Sequence, residues 1–525
     1  MGDCTAEPVI RTDIEREYAD YLRDESKLAG RAESISFPSS GREVRQIIAR
    51  MSSRGTPVTI QGARTGITGG ASPAGGHILN LSRMNRIVGL RHNGDDGYSL
   101  AVEPGLLLSQ LRQTVASKDF DTTGWSAESL AALADFRGAG AWFFPPDPTE
   151  TSAAIGGMIA ANASGACSFH YGPTRDFVQR IRSVLADGSV LDLQRGGDAA
   201  SGRFFRVCTE DGRAISGSLP TYRMPAVKNA AGYFAADNME LIDLFIGSEG
   251  TLGVCIEAEI RLVPAPGAVW GVAAFFPSEE DALSFVRKIR LTSPRPVAVE
   301  FFDVRSLALL RMQKRTNPAF ADLPEPLPDR TAIYVEYHGD TEDAVTDAVA
   351  MMSQAMTGCG CGESDTWIAT TPNEVERLKR FRHAIPESVN LLIGERRRAA
   401  PGITKLGTDM AVPDACLGRI MAMYHADLEP SGLDYVIFGH IGNNHVHVNI
   451  LPGNEAEYEK GKKIYGRWAT EVVRMGGTIS GEHGIGKLKT AYLAMMYGAK
   501  GIAEMRATKT SFDPACILNR GNLFA

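Results

Sequence analysis

Between Thr56 and Gly76 the chain reads as a short strand, Thr56–Gln61, that opens into the loop Gly62-Ala63-Arg64-Thr65-Gly66-Ile67-Thr68-Gly69-Gly70, and this run limits the possible folds more than any other. Glycine at such density lets a backbone approach a ligand closely and aim several N–H groups at one anion, as a pyrophosphate cradle requires. Thr65 and Thr68 add hydroxyl donors, and Arg64 adds a charge. A second small-residue stretch runs from Pro145 to Gly172 and contains Pro145-Pro146-Asp147-Pro148-Thr149 and Ile155-Gly156-Gly157-Met158-Ile159-Ala160-Ala161-Asn162-Ala163-Ser164-Gly165. Side chains this small let a flat ring lie against the main chain. No Gly-x-Gly-x-x-Gly follows a strand, so a nicotinamide-binding Rossmann domain is not supported. A single such loop also fits a plain surface turn.

The 525 residues suffice for two or three domains, and 44% hydrophobic with 22% charged residues is a globular balance. A net charge of -7 with both signs interspersed offers no concentrated basic face, which argues against a nucleic-acid partner. No apolar run reaches the roughly 18 residues that a membrane-crossing helix needs. The start, Met1 to Ala6, lacks the order of a secretion signal and has Ala6 where a myristoylation motif has Ser or Thr, so a cytoplasmic protein is expected. Cysteines are scattered, with only Cys359-Gly360-Cys361 close together, which suits reduced core thiols and not an iron–sulfur cluster.

Along the chain, Val44–Met51 reads as a helix, Ile78–Leu81 and Ser99–Val102 as strands, and Ile181–Leu193 as a hairpin turning on Asp187-Gly188. Phe245–Val263 closes this half, and Pro264-Ala265-Pro266-Gly267 is the best boundary. Beyond it, the strands Ala268–Phe276, Val297–Phe302 and Thr331–Tyr337 alternate with the helices Glu279–Leu291, Thr341–Met356 and Glu374–Val389. This alternation predicts an α+β domain with helices on one face of an antiparallel sheet. A strand pair near 435–451, the helix Glu455–Met475 and a tail, Phe512–Phe524, returning to the first domain complete the reading. The divisions are an N-terminal segment 1–34, a first domain 35–265, a second domain 266–500 and a C-terminal segment 501–525.

Histidines concentrate late, in Gly439-His440-Ile441-Gly442-Asn443-Asn444-His445-Val446-His447-Val448-Asn449 and in Ser480-Gly481-Glu482-His483-Gly484-Ile485-Gly486. A hairpin turning on Asn443-Asn444 pairs Gly442 with His445 and His440 with His447. Opposed residues on one face have Cβ atoms about 4.5–5.5 Å apart, close enough for two imidazoles to share an ion. Glu482 offers a carboxylate, and a two-His, one-carboxylate set leaves open positions for a substrate. Taken singly, each histidine fits a structural role equally well. His483 suits a general base, or a histidine that only orients Glu482. Arg396-Arg397-Arg398 and Lys405 fit either a solvated face or the recognition of a second carboxylate. Gly481–Leu488 nearly matches a P-loop, but Leu488 stands where Ser or Thr must hold magnesium.

These stretches, together with His170-Tyr171-Gly172-Pro173-Thr174-Arg175-Asp176 and Gly247-Ser248-Glu249-Gly250-Thr251-Leu252-Gly253, occur in the order seen in vanillyl-alcohol-oxidase-type flavoproteins with a PCMH-type FAD-binding domain. From about residue 35 to the end, the chain most resembles the branch of D-lactate dehydrogenases, the glycolate oxidase flavoprotein subunit and D-2-hydroxyglutarate dehydrogenase. The resemblance implies an α+β fold: a two-subdomain FAD-binding domain and a cap domain built on an antiparallel sheet. It assigns the FAD pyrophosphate to Gln61, Gly62, Ala63, Arg64, Thr65, Gly66, Gly69 and Gly70. It assigns the rest of the cofactor to Pro146, Gly156, Gly157, Ala161, Asn162, Gly165, Glu249, Gly253, Val254 and Asn519. No histidine lies in 57–70, so a non-covalent flavin is implied, with His77 and His170 as the other histidines to consider.

The resemblance also makes His440, His447 and Glu482 ligands of a divalent metal (zinc, manganese or iron). The related pattern has Asp-Gly-Asn where this chain has Asn443-Asn444-His445, which leaves His445 as an extra imidazole. Arg382 aligns with a substrate-binding arginine, with Asn449 beside it and His483 as the base. The implied enzyme is an FAD-dependent dehydrogenase of a small D-2-hydroxy acid, D-lactate-like first, that passes electrons to a quinone, a cytochrome or an electron-transfer flavoprotein. A homodimer is left open. Two other readings stand beside it: a metal-independent flavoprotein of the same fold acting on another alcohol, and a non-catalytic FAD-binding electron-transfer subunit. Chelation separates the first of these from the favoured reading, and substitution of Glu482 and His483 separates the second.

Overall fold

The segments Val297–Phe302 and Thr331–Tyr337 are apolar at nearly every position, as strands covered on both faces are. In the computed structural model, which describes residues 7–324 and 327–524, they form the middle of a seven-stranded antiparallel sheet. Its order is Thr366–Ala369, Ala268–Phe276, Thr331–Gly339, Ala298–Phe302, Tyr435–His440, His445–Ile450, Leu406–Gly407. The opening hexapeptide, with Cys4, lies outside the described residues.

The expectation of helices on one face is corrected. Glu279–Ile289 and Glu342–Thr357 pack on one side against Val272, Ala274, Ile333 and Val335. Val304–Thr316 and Pro372–Arg396 pack on the other against Ala273, Phe275, Ala332 and Tyr334. Side chains of both parities are apolar along Ala268–Phe276, so each face needs its own cover. Helix Pro372–Arg396 also outruns its expected end at Val389 and continues through Pro386. Its last turn is anchored by Arg396, which donates to the Leu451 carbonyl and pairs with Asp434.

The two larger sheets of the N-terminal half frame its core. Ser34–Ser36, His77–Asn80 and Val58–Gln61 form a parallel three-stranded sheet. Ile87–His92, Tyr98–Val102, Val254–Arg261, Val178–Val184 and Val190–Gln194 form an antiparallel one, in that spatial order. Helix Gly41–Ser53, capped by Ser40, buries Val44, Ile47, Ile48 and Met51 against this half. The chain end lies along the parallel sheet: Val58 N–H donates to the Ile517 carbonyl at 2.7 Å, and Asn519 N–H donates to the Val58 carbonyl at 2.8 Å. Among the described residues no helix is long and apolar enough to cross a membrane.

A buried ion pair holds this returning tail. Lys509 Nζ lies 2.8 Å from Asp513 and donates also to the carbonyls of Thr251 and Leu518, while Asp513 accepts from Ile517 and Leu518 N–H. Replacing Asp513 by Ala strands a buried ammonium, so unfolding by denaturant is expected at about 3–5 kcal/mol lower stability. The double change Lys509→Met, Asp513→Leu is expected to recover part of that loss. A single variant as stable as the parent overturns the assignment.

Candidate active site

A cavity of about 1130 Å³ runs between the N-terminal glycine-rich loops and the edge of the seven-stranded sheet. On one side it is walled by Gly62–Gly66, by Ala153–Ala154 and Gly156–Ala161, and by Ser248–Gly250; on the other by Phe438–His440, His447, Asn449, Glu482 and His483. The loop is built to take an anionic ligand. The N–H groups of Arg64, Thr65 and Gly66 donate to no acceptor among the described residues. A Cβ built on Gly66 or Gly157 meets no protein atom within 4 Å, so both glycines open onto the cavity. These features fit the pyrophosphate and ring of FAD.

Of the residues assigned to the cofactor, Gly62, Ala63, Arg64, Thr65, Gly66 and Gly70 line the cavity, as do Gly156, Gly157, Ala161, Glu249, Gly253 and Asn519. Six others stand behind its wall. Gln61 donates to the carbonyls of Tyr21 and Ala71, and Gly69 faces Leu28 and Leu488. The Pro146 carbonyl is taken by Arg112, Asn162 Oδ1 by Arg175 N–H, Gly165 abuts Asp147, and Val254 is core. Two of the lining side chains are also engaged elsewhere. The Arg64 guanidinium turns to the Asp20 carbonyl and lies over the Tyr21 ring at 4.3 Å. The Glu249 carboxylate accepts from Ile485 N–H at 2.6 Å and Gly486 N–H at 2.8 Å. His77 is buried between the hydroxyls of Ser34 and Ser36, and neither it nor His170 lines the cavity, so neither is placed to bond a flavin there.

The histidine hairpin forms with a different register from the expected one. Ile441–Asn443 make a 3₁₀ turn, Asn444 takes a left-handed conformation at φ 51°, and His440 pairs with His445, not His447. The extra loop residues shift the ladder by two positions. A two-residue shift keeps every side chain on its face. His440, His445 and His447 therefore still cluster, with ring centroids 4.6–5.6 Å apart.

Glu482 completes the set, and the ligating atoms of His440, His445, His447 and Glu482 all lie within 4.8 Å of one another. His440 Nε2 is 3.2 Å and His447 Nε2 is 3.3 Å from Glu482. Each ring is anchored through its other nitrogen: His440 Nδ1 donates to Glu300 at 2.7 Å, His447 Nδ1 to the Thr408 carbonyl at 2.8 Å, and His445 Nε2 to Asp409 at 2.9 Å. Imidazoles that hold a metal are commonly braced in this way, which fixes the tautomer and turns the free lone pair inward. Burial alone would depress the His440 imidazolium, but Glu300 and Glu482 outweigh it and raise its pKa to about 9. The pocket between those carboxylates demands positive charge, and the donor set fits a divalent ion.

Three residues that sequence reasoning missed hold this arrangement. Glu300 was signalled only as a charge inside an apolar strand. Asp409 accepts from Ser480 Oγ, Lys489 Nζ and the N–H groups of Glu482 and His483, and lies 3.3 Å from His483 Nδ1. Lys228, from the N-terminal half, reaches Glu482 Oε2 at 2.6 Å. Burial would raise the Glu482 carboxyl, yet Lys228 and His440 hold it well below the usual carboxylate range. His483 Nε2 is 3.5 Å from Glu482 and its ring is half-exposed beside His447. Arg382 donates to His383 Nε2 at 2.8 Å and lies 4.0 Å from Asp147; Asn449 is buried against Gly407. Lys405 also lines the cavity, its ammonium without an ion pair or hydrogen bond among the described residues. Arg396 is tied to Asp434, while Arg397 is exposed at the cavity rim.

Comparison with known proteins matches residues 266–523 to the family described as FAD linked oxidases, C-terminal domain, and residues 32–125 and 125–194 to the FAD binding domain. The chain is 28% identical to a D-lactate dehydrogenase of Anaerostipes hadrus over 96% of its length and 92% of that protein. It is 26% identical to the glycolate oxidase subunit GlcD of Bacillus subtilis, covering 94% and 89%, and 27% identical to a D-2-hydroxyglutarate dehydrogenase of Stutzerimonas stutzeri, covering 96% and 94%. Among solved structures it superposes on 4-ethylphenol oxidase from Gulosibacter chungangensis with a TM-score of 0.66 at 17% identity, covering 98% and 94%. On p-cresol methylhydroxylase the TM-score is 0.64, again at 17% identity, covering 98% and 93%. The fold is thus the α+β fold of vanillyl-alcohol-oxidase-type flavoproteins.

The Glu249 contacts carry a test of how the two halves are joined. Glu249→Ala leaves two N–H groups without acceptors, a cost of about 1–3 kcal/mol for a buried group. Amide exchange at Ile485 and Gly486 is therefore expected to quicken by about 5- to 150-fold, with Glu249→Gln in between. Unchanged exchange in the Ala variant would show that the loop is held by something else.

Proposed function

Because this chain belongs to the FAD-linked oxidase family, we propose that it is an FAD-dependent dehydrogenase that oxidises a small D-2-hydroxy acid to the 2-oxo acid, with a divalent metal ion beside the flavin. One observation carries this reading: a braced cluster of imidazoles around Glu482 opens into the same cavity as the glycine-rich loops. The names of the relatives support a hydroxy-acid substrate, with D-lactate the first choice. The electron acceptor is a quinone, a cytochrome or an electron-transfer flavoprotein, and the setting is cytoplasmic.

Bound FAD supplies the hydride acceptor, and the metal ion supplies a Lewis acid for the hydroxyl. The protein's own residues do the rest. His440, His447 and Glu482 would hold the ion. Arg382, braced between Asp147 and His383, has planar donors suited to the substrate carboxylate, so the α-carbon is oriented before reaction. Asn449 adds an amide at the same wall. His483 removes the hydroxyl proton at Nε2 while Asp409 steadies its Nδ1. Lys405, an uncompensated cation in the cavity, would meet a second carboxylate where the substrate has one.

Anaerobic bleaching of the flavin absorbance by a panel of D- and L-2-hydroxy acids, diacids included, tests the proposal. D-acids are expected to bleach it and L-acids not; chelation is expected to stop the reaction and a divalent ion to restore it. Bleaching that survives chelation removes the metal from the mechanism, and a purified protein without flavin overturns the whole reading. His483→Gln is expected to slow bleaching by about 10²–10⁴-fold at unchanged metal content.

A further inference from the structure

We propose that His445 is a fourth protein ligand, through Nδ1, so that the ion is held by three imidazoles and one carboxylate. The inference rests on the metal reading above and goes beyond its ligand set. His445 is wholly buried, and its Nδ1 is a buried side-chain atom with no hydrogen-bond partner among the described residues. Buried polar atoms are nearly always paired, and an exception inside a ring of other donors calls for a missing partner. Among four ligand atoms that all lie within 4.8 Å of one another, a metal ion is the partner that meets them together. Nε2 already donates to Asp409, so Nδ1 carries a lone pair, and it points 4.0 Å from Glu482 Oε2.

The backbone makes room for this ring. A Cβ at Gly481 would stand 2.9 Å from the His445 imidazole, and one at Gly439 would stand 2.7 Å from His447. The choice of nitrogen follows from position. His445 faces His440 directly across the end of the hairpin, and its far nitrogen is drawn to Asp409, so only Nδ1, the nitrogen nearer its own backbone, faces the cluster.

Four protein ligands change what ion the site serves. A 2-hydroxy acid bound through its hydroxyl and one carboxylate oxygen needs two more positions, which makes six. A tetrahedral ion would have none free, whereas manganese(II), iron(II) and cobalt(II) accept six, and the imidazoles disfavour magnesium and calcium. Four protein ligands and a two-point substrate together suit an ion that accepts six-coordination.

Cobalt(II) is the probe. The flavin-loaded protein, freed of metal by chelation, is titrated calorimetrically with Co²⁺, and X-ray absorption of the loaded wild type counts its imidazoles. Three imidazoles, together with an affinity at least tenfold weaker in His445→Asn, are expected; His440→Ala is the control for a ligand of the proposed function. Two imidazoles in the wild type, or equal affinity in His445→Asn, overturn the inference while leaving the metal reading intact. No Co²⁺ bound by the wild type overturns the metal reading itself. Should His445→Asn not retain flavin, the wild-type imidazole count alone decides.

Discussion

One buried carboxylate, Asp409, carries the geometry of the site. It accepts from the His445 ring, the Ser480 hydroxyl, the Lys489 ammonium and two N–H groups of the loop that presents Glu482 and His483. The Gly481 N–H donates to its main-chain carbonyl at 2.6 Å. Burial would push the Asp409 carboxyl up, but His483, Lys489 and His445 hold it well below the usual range. A carboxylate can stay charged in such a place only when its lone pairs are met by donors. Residues 479–484 are neither helix nor strand, so this one anion does for the loop what a backbone ladder does elsewhere.

The same loop is stitched to the N-terminal half. Glu249 takes the N–H groups of Ile485 and Gly486, the Thr68 carbonyl accepts from Lys487 N–H, and Lys487 Nζ reaches the Gly69 carbonyl and Asn522. Lys228 adds an ion pair to Glu482 from that side. The glycine-rich loop and the histidine cluster are therefore two ends of one bonded unit. Relative placement is what an oriented transfer between a substrate and a ring demands, because small displacements there are costly in rate.

Local pattern made much of this legible. The strand alternation and the apolar runs read correctly as an α+β chain, and the two small-residue stretches both reach the cavity. The hairpin at 435–451 was legible as a hairpin, but its register was not. The turn depends on a 3₁₀ segment followed by a left-handed Asn444, a conformation that Asn permits without demanding. Helix Thr490–Phe512 escaped because Gly498, at φ 68°, breaks its period. Lys228, Glu300 and Asp409 escaped for another reason. Each lies among unremarkable neighbours, and each matters only because of residues more than 30 positions away.

By itself, then, the order of residues determined which chemistries the chain can host: glycine where a backbone can meet an anion, imidazole and carboxylate in numbers that can grip an ion. These are properties of residue type and short-range spacing, which survive any arrangement of the rest. Which nitrogen of each ring is free, which carboxylate is engaged by the backbone and which faces the cavity, and where the two halves lock were decided only by the tertiary structure. Such choices are settled by competition for buried hydrogen bonds among groups that chain folding alone brings together.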